Sequence, residues 1–158
     1  MSLKEEIEKI IQLEQQKQEL RDQKRAMLHE RQRERFRLMR VLLVEIVASV
    51  EPAYVRARIA KDSAKIEVGE KVGDRFHKDI TWKIEPIVAG RSSVKKEETL
   101  SDQEPGFLIE EMDYYTNPEY PSSNSQTLTA EQEVAKYLVK KMAERIAFHR
   151  RLRSKRGN

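Results

Sequence analysis

The chain has 158 residues, 38% of them hydrophobic and 37% charged, with a net charge of +4 and no cysteine. Disulfides, thiolate metal sites and cysteine nucleophiles are thereby excluded, and a charged fraction well above the usual quarter leaves apolar residues for only a small core. The longest apolar run, Val41 to Val44, falls far short of the roughly 20 residues of a membrane span, and Lys4, Glu5, Glu6, Glu8 and Lys9 interrupt the opening residues, unlike a signal peptide, so the expectation is a soluble, cytoplasmic protein.

From Met1 to Glu51 there is neither proline nor glycine. Nearly every residue is a good helix former, which predicts a helix on the order of 70 Å. Glu51 should end it, because the residue before Pro52 avoids helical geometry. In one heptad register Leu3, Ile10, Leu13, Leu20, Met27, Leu38 and Val41 occupy the two seam positions where helices lock together. The same register puts Glu6, Lys17, Lys24, Arg31 and Glu34 on that seam, so a long parallel dimer held by this segment would be weak. Ile7 and Ile11 widen the apolar stripe near the start, which suits packing on a groove or on more than one neighbour. Leu3, Ile7, Ile10, Leu13, Leu20 and Met27 are the candidate partner-binding residues.

The middle of this segment is basic. Arg21, Lys24, Arg25, Arg31, Arg33, Arg35, Arg37 and Arg40 stand against Asp22, Glu30 and Glu34. Two explanations compete: a solvated or protein-facing helix, or a helix lying on phosphates or an acidic partner. Phe36 is the one aromatic there for base stacking, which favours the first. From Phe36 onward the pattern changes to that of a core helix, with Phe36, Met39, Leu43, Ile46 and Val50 on one face and Leu38, Leu42 and Val47 on a second. The chain thus divides into a projecting helical arm, 1–35, and a small α+β domain, 36–158.

Strands follow. Val55, Ala57 and Ile59 alternate with Tyr54, Arg56 and Arg58, and Ala64, Ile66 and Val68 alternate with Lys65 and Glu67, giving a hairpin turned at Ala60 to Ser63. A longer strand runs from Phe76 to Val88, with Phe76, Lys78, Ile80, Trp82, Ile84 and Pro86 on alternate positions. Pro86 belongs at an edge or a strand end. Phe107 to Met112 offers a fourth strand, with helix as the other reading of 106–115. Connections before Phe76 are too short for a crossover helix, so the order is antiparallel. Segments 89–105 and 117–127 read as long loops, the second containing Asn117-Pro118-Glu119-Tyr120, a turn motif known from peptide recognition but only four residues long.

Ten of the 27 acidic residues fall in 97–135, which has no Lys or Arg. The other 17 face all 31 basic residues, a balance of +14. The acidic stretch either neutralises a basic surface of its own chain or a neighbouring copy, or is a solvated loop. A second helix starts at Thr129, with Gln132 completing a capping box and Glu131 and Glu133 at the positive end of its dipole. Val134, Leu138, Met142 and Ile146 form its apolar stripe. Its basic end, including Arg150, Arg151 and Arg153, is either ordinary helix termination or a phosphate-binding tail.

Signals for catalysis are lacking. His29, His77 and His149 have no metal-ligand spacing, the five glycines form no phosphate-cradling loop, and Glu110 and Glu111 on a strand point to opposite faces. No cofactor is implied. The fold class expected is α+β: a long N-terminal helix, a small antiparallel sheet of three to four strands, and a C-terminal helix packed on it. The expected function is a non-enzymatic assembly, scaffold or adaptor subunit, an oligomer-forming, coiled-coil-like structural protein that binds a protein partner or itself through the N-terminal helix. The alternative is RNA or DNA binding through Arg21, Lys24, Arg25, Arg31, Arg33, Arg35, Arg37, Arg150, Arg151 and Arg153.

Overall fold

The computed structural model describes residues 2–87 and 106–156. The order is helix, five strands, helix: α1 (Leu3–Ala48), β1 (Val55–Ile59), β2 (Ala64–Val72), β3 (Arg75–Ile87), β4 (Gly106–Asp113), β5 (Ser122–Leu128) and α2 (Glu131–Arg156). The fold is α+β, with the strands in one antiparallel sheet of order β1-β2-β3-β4-β5. Every strand pairs with its sequence neighbour, so the sheet needs no crossover connection.

One helix carries the opening segment. Ser2 caps it by accepting a hydrogen bond from the Glu5 backbone N–H while the Glu5 carboxylate accepts from the Ser2 N–H, a reciprocal box that satisfies two free donors. Its last helical residue is Ala48, three residues before the expected end at Glu51. Ser49 caps it instead, its hydroxyl donating to the Glu45 carbonyl. Phe36, Met39 and Leu43 are fully buried, and Ile46, Leu42, Val47 and Val50 pack beside them. Leu38 departs from its expected place on a second core face: it is exposed, because positions 36, 39 and 43 turn that side of the helix away from the sheet.

Against this helix lie Ile66, Val68, Ile80, Trp82, Ile84, Phe107 and Ile109 from the sheet, with Val134, Leu138, Met142 and Ile146 from α2. The core is thus two helices laid on one face of the sheet, fed by the alternate residues of β2, β3 and β4. Pro86 sits in the central strand, yet β2 runs out opposite Ile84, so its missing N–H falls past the end of that ladder. The 106–115 segment is strand through Asp113, not helix.

Three local expectations are corrected. Loop 117–127 is strand from Ser122 onward: β5 pairs with β4 from Phe107↔Leu128 to Asp113↔Ser122, although no apolar alternation marks it. The loop that remains contains an Asx turn, in which the Asn117 side-chain oxygen accepts from the Glu119 and Tyr120 N–H groups. Thr129 does not box with Gln132; its N–H and hydroxyl both donate to the Glu133 carboxylate, one residue later, and the helix starts at Glu131. The expected loop at 89–105 lies outside the described residues.

The third correction bears on the site. The expected stripe from Phe76 to Pro86 is interrupted, because Val68 pairs with Ile80 and Gly69 pairs with Lys78, leaving Asp79 as an extra residue on β3. Such a bulge re-aims a side chain. Asp79 turns beneath α2, on the same side as Ile80, while Phe76 lies with Arg56, whose guanidinium stands 5.0 Å from its ring centre. Gly69, across from the bulge, has no room for a side chain: a Cβ there would sit 2.0 Å from the His77 carbonyl oxygen.

Candidate protein interface

The core face of α1 is set by Gln32, Phe36, Met39 and Leu43, spaced four, three and four apart. At about 100° per residue these fall within a narrow arc. Leu38 and Val41 then point to the other side, and both are exposed. Toward the N-terminus every side chain from Ser2 to Ala26 is exposed, and Leu28 is the first to be half-buried. The candidate partner-binding residues Leu3, Ile7, Ile10, Leu13, Leu20 and Met27 are between 49% and 72% exposed. Together with Leu38 and Val41, the apolar seam residues mark one line along α1 from the arm onto the outer surface of the domain, interrupted by the charged positions Glu6, Lys17, Lys24, Arg31 and Glu34. Large apolar side chains exposed along one side of a helix are what an interaction surface presents.

Polar seam members are held by weak neighbours. Lys17 lies 3.4 Å from Glu14 and Glu34 lies 3.7 Å from Arg37, both exposed pairs on the helix surface. Exposed pairs of this kind contribute at most a few tenths of a kcal/mol to about 1 kcal/mol, so they are easily exchanged.

The basic residues proposed for nucleic acid are not gathered into one surface. Arg33 pairs with Glu30 and Arg37 with Glu34 on α1 itself. Arg35 is half-buried and donates to the Ile87 carbonyl at 2.6 Å, tying the helix to the end of β3. Arg150 pairs with Glu51, just past the far end of α1, which lies about 40 Å along the helix from Arg21. Arg153 hydrogen-bonds the Tyr54 side chain, which raises its pKa, and Arg151 is exposed. Arg21, Lys24, Arg25 and Arg31 are exposed on the arm.

A second cluster, unmarked in the sequence, fastens α2 to the sheet. Arg145 donates to Asp79 at 3.1 Å and to Asp113 at 2.6 Å, and His149 Nε2 lies 2.9 Å from the same Asp79 oxygen. Burial disfavours the Arg145 charge, but the hydrogen bonds and fields of Asp113 and Asp79 outweigh it and raise its pKa. Beside it, Glu111 accepts from Trp82 Nε1 at 2.9 Å and from the Tyr137 hydroxyl at 2.7 Å. Burial and the Glu111 carboxylate push the Tyr137 pKa up to about 12. Two carboxylates of the acidic 97–135 stretch therefore neutralise or anchor side chains of this chain's own helix. The sequence gives no sign of this role for His149, because its partner is 70 residues away and is delivered by the bulge.

These groups are arranged to hold elements together. Arg145 is shared by two carboxylates, and the Tyr137 and Trp82 donors both terminate on Glu111. Among the described residues no group of three His, Asp or Glu side chains is placed to hold a metal ion, and no helix is long and apolar enough to cross a membrane. The chain matches no protein-family model, no curated protein and no solved structure.

Proposed function

We propose that the protein is a non-enzymatic assembly or adaptor subunit that makes protein–protein contacts through α1. The observation that carries this reading is the row of exposed apolar residues along α1 from Leu3 to Val41, which the described residues leave uncovered. Burial of apolar surface is worth about 25 cal/mol per Å², and a row of leucine, isoleucine and methionine side chains supplies that gain only when another surface covers it. Charged groups flanking the line keep the free chain soluble and orient what docks on it.

Light scattering or sedimentation of the purified full chain tests this. The expected result is a mass above that of one chain, rising with concentration, and a return to one chain in the triple variant Leu13→Ser/Leu20→Ser/Met27→Ser. A compact monomer at every concentration overturns the reading.

A further inference from the structure

We infer that α1 pairs along its whole length with α1 of a second copy, in antiparallel orientation; this rests on the assembly reading above and names its partner. The choice of direction follows from the charges on the seam. In a parallel pair each seam position faces itself, so Glu6, Lys17, Lys24, Arg31 and Glu34 would each meet an identical charge. With Glu45, the next charged seam position on the same helix, six such layers oppose association.

Antiparallel overlap removes four of them. Setting the two ends of α1 together places Leu3 opposite Ala48 of the second copy, and the heptad then brings Ile10 against Val41 and Leu13 against Leu38, exposed residues in both cases. Lys17 meets Glu34, an opposite-charge pair formed by exchanging their weak exposed pairs with Glu14 and Arg37. At the centre Arg31 lies on Leu20 and Lys24 on Met27, where long aliphatic stems cover the apolar side chain while the charge reaches water. Glu6 against Glu45, met once at each end of the pair, gives the two like-charge layers that remain.

The same alignment sets Glu14 of one helix level with Arg37 of the other, in its basic stretch. It also uses a second surface. Ile7 of one copy arrives over Leu42 of the other, at the mouth of an apolar groove of about 430 Å³ between α1 and α2, lined by Ile46, Val50, Val139 and Met142. Because the arrangement is two-fold symmetric, every contact occurs twice and the assembly closes at two chains.

The native chain has no cysteine, so introduced thiols report orientation without interference. The experiment is oxidation of the single variants Leu13→Cys and Leu38→Cys and of the double variant, after light scattering of the unoxidised proteins. In the antiparallel pair residue 13 lies beside residue 38 of the second copy, whereas two copies of residue 13 are about 38 Å apart. The double variant is expected to run mainly as a covalent dimer, twice the mass of one chain, and each single variant as a monomer. Covalent dimer in the Leu13→Cys variant means parallel pairing and overturns the inference. An oligomer whose double variant fails to cross-link also overturns it, while leaving the assembly reading standing. A protein that stays at one chain's mass before oxidation overturns both.

Discussion

Residues 3–27 and 28–48 belong to the same helix, yet the first part exposes every side chain apart from the backbone it hides, and the second contributes Phe36, Met39 and Leu43 to the centre of the core. The helix is unbroken across the change because nothing local marks it: no glycine, no proline, the same good formers on both sides. The two parts differ in what keeps them helical. The second is fixed by burial against β3 and α2, whereas the first depends on propensity, the Ser2–Glu5 box and exposed side-chain pairs such as Lys17–Glu14 and Gln18–Asp22. Folding of the domain and availability of the arm are therefore separable, and substitutions should report on one or the other.

The sharpest contrast comes from the core side. Phe36→Ala should cost about 3–5 kcal/mol in urea denaturation, because it empties a fully buried site beneath the sheet. Arg145→Met comes next, at about 3 kcal/mol, since it leaves Asp79 and Asp113 without their shared cation. Gly69→Ala should cost about 1–3 kcal/mol, as its Cβ would strike the His77 carbonyl and disturb the bulge that delivers Asp79.

A smaller effect is expected in alkali. The Tyr137 pKa is raised from 10.0 to about 12 in the folded chain. The unfolded chain therefore loses this proton first, so the contribution is complete below pH 10.0 and disappears as pH rises through about 12. Urea midpoints followed across that window should fall less steeply in Tyr137→Phe than in the native chain. Least of all is Leu20→Ala on the arm, within about 0.5 kcal/mol for the dissociated chain. If it proves as damaging as Phe36→Ala, the arm is packed against its own domain and the comparison fails.

Much of this was readable from residue pattern. The core half of α1, the first hairpin, β3 from Ile80 onward and the stripe of α2 all announce themselves by apolar spacing, since each sends apolar side chains into the core at a regular period. The seam was equally legible, because its exposed leucines are those the core arc cannot include. β5 was not: Ser122 to Gln126 offer no apolar alternation, and what makes them a strand is the backbone ladder offered by β4. The bulge was invisible for a related reason. Alternation counts residues, and one residue looped out at Asp79 shifts Phe76 and Lys78 to the other face without changing any residue type. With it went the cluster beneath α2, whose members Asp79, Asp113, Arg145 and His149 are scattered in sequence and meet only through the tertiary fold.

The lack of any glycine or proline from Met1 to Glu51 gives the molecule a fixed phase. With no hinge between the arm and the Phe36–Leu43 anchor, the direction in which Leu13 and Leu20 face is locked to the orientation of the sheet, as teeth on a shaft are locked to its handle. Adding one residue near His29 would turn the arm by about 100° relative to the domain, whereas adding seven would restore nearly the same bearing about 10 Å farther out. Whatever occupies the line is thus presented to the domain at a set angle and a set reach, and the length of this helix works as a dimension of the assembly.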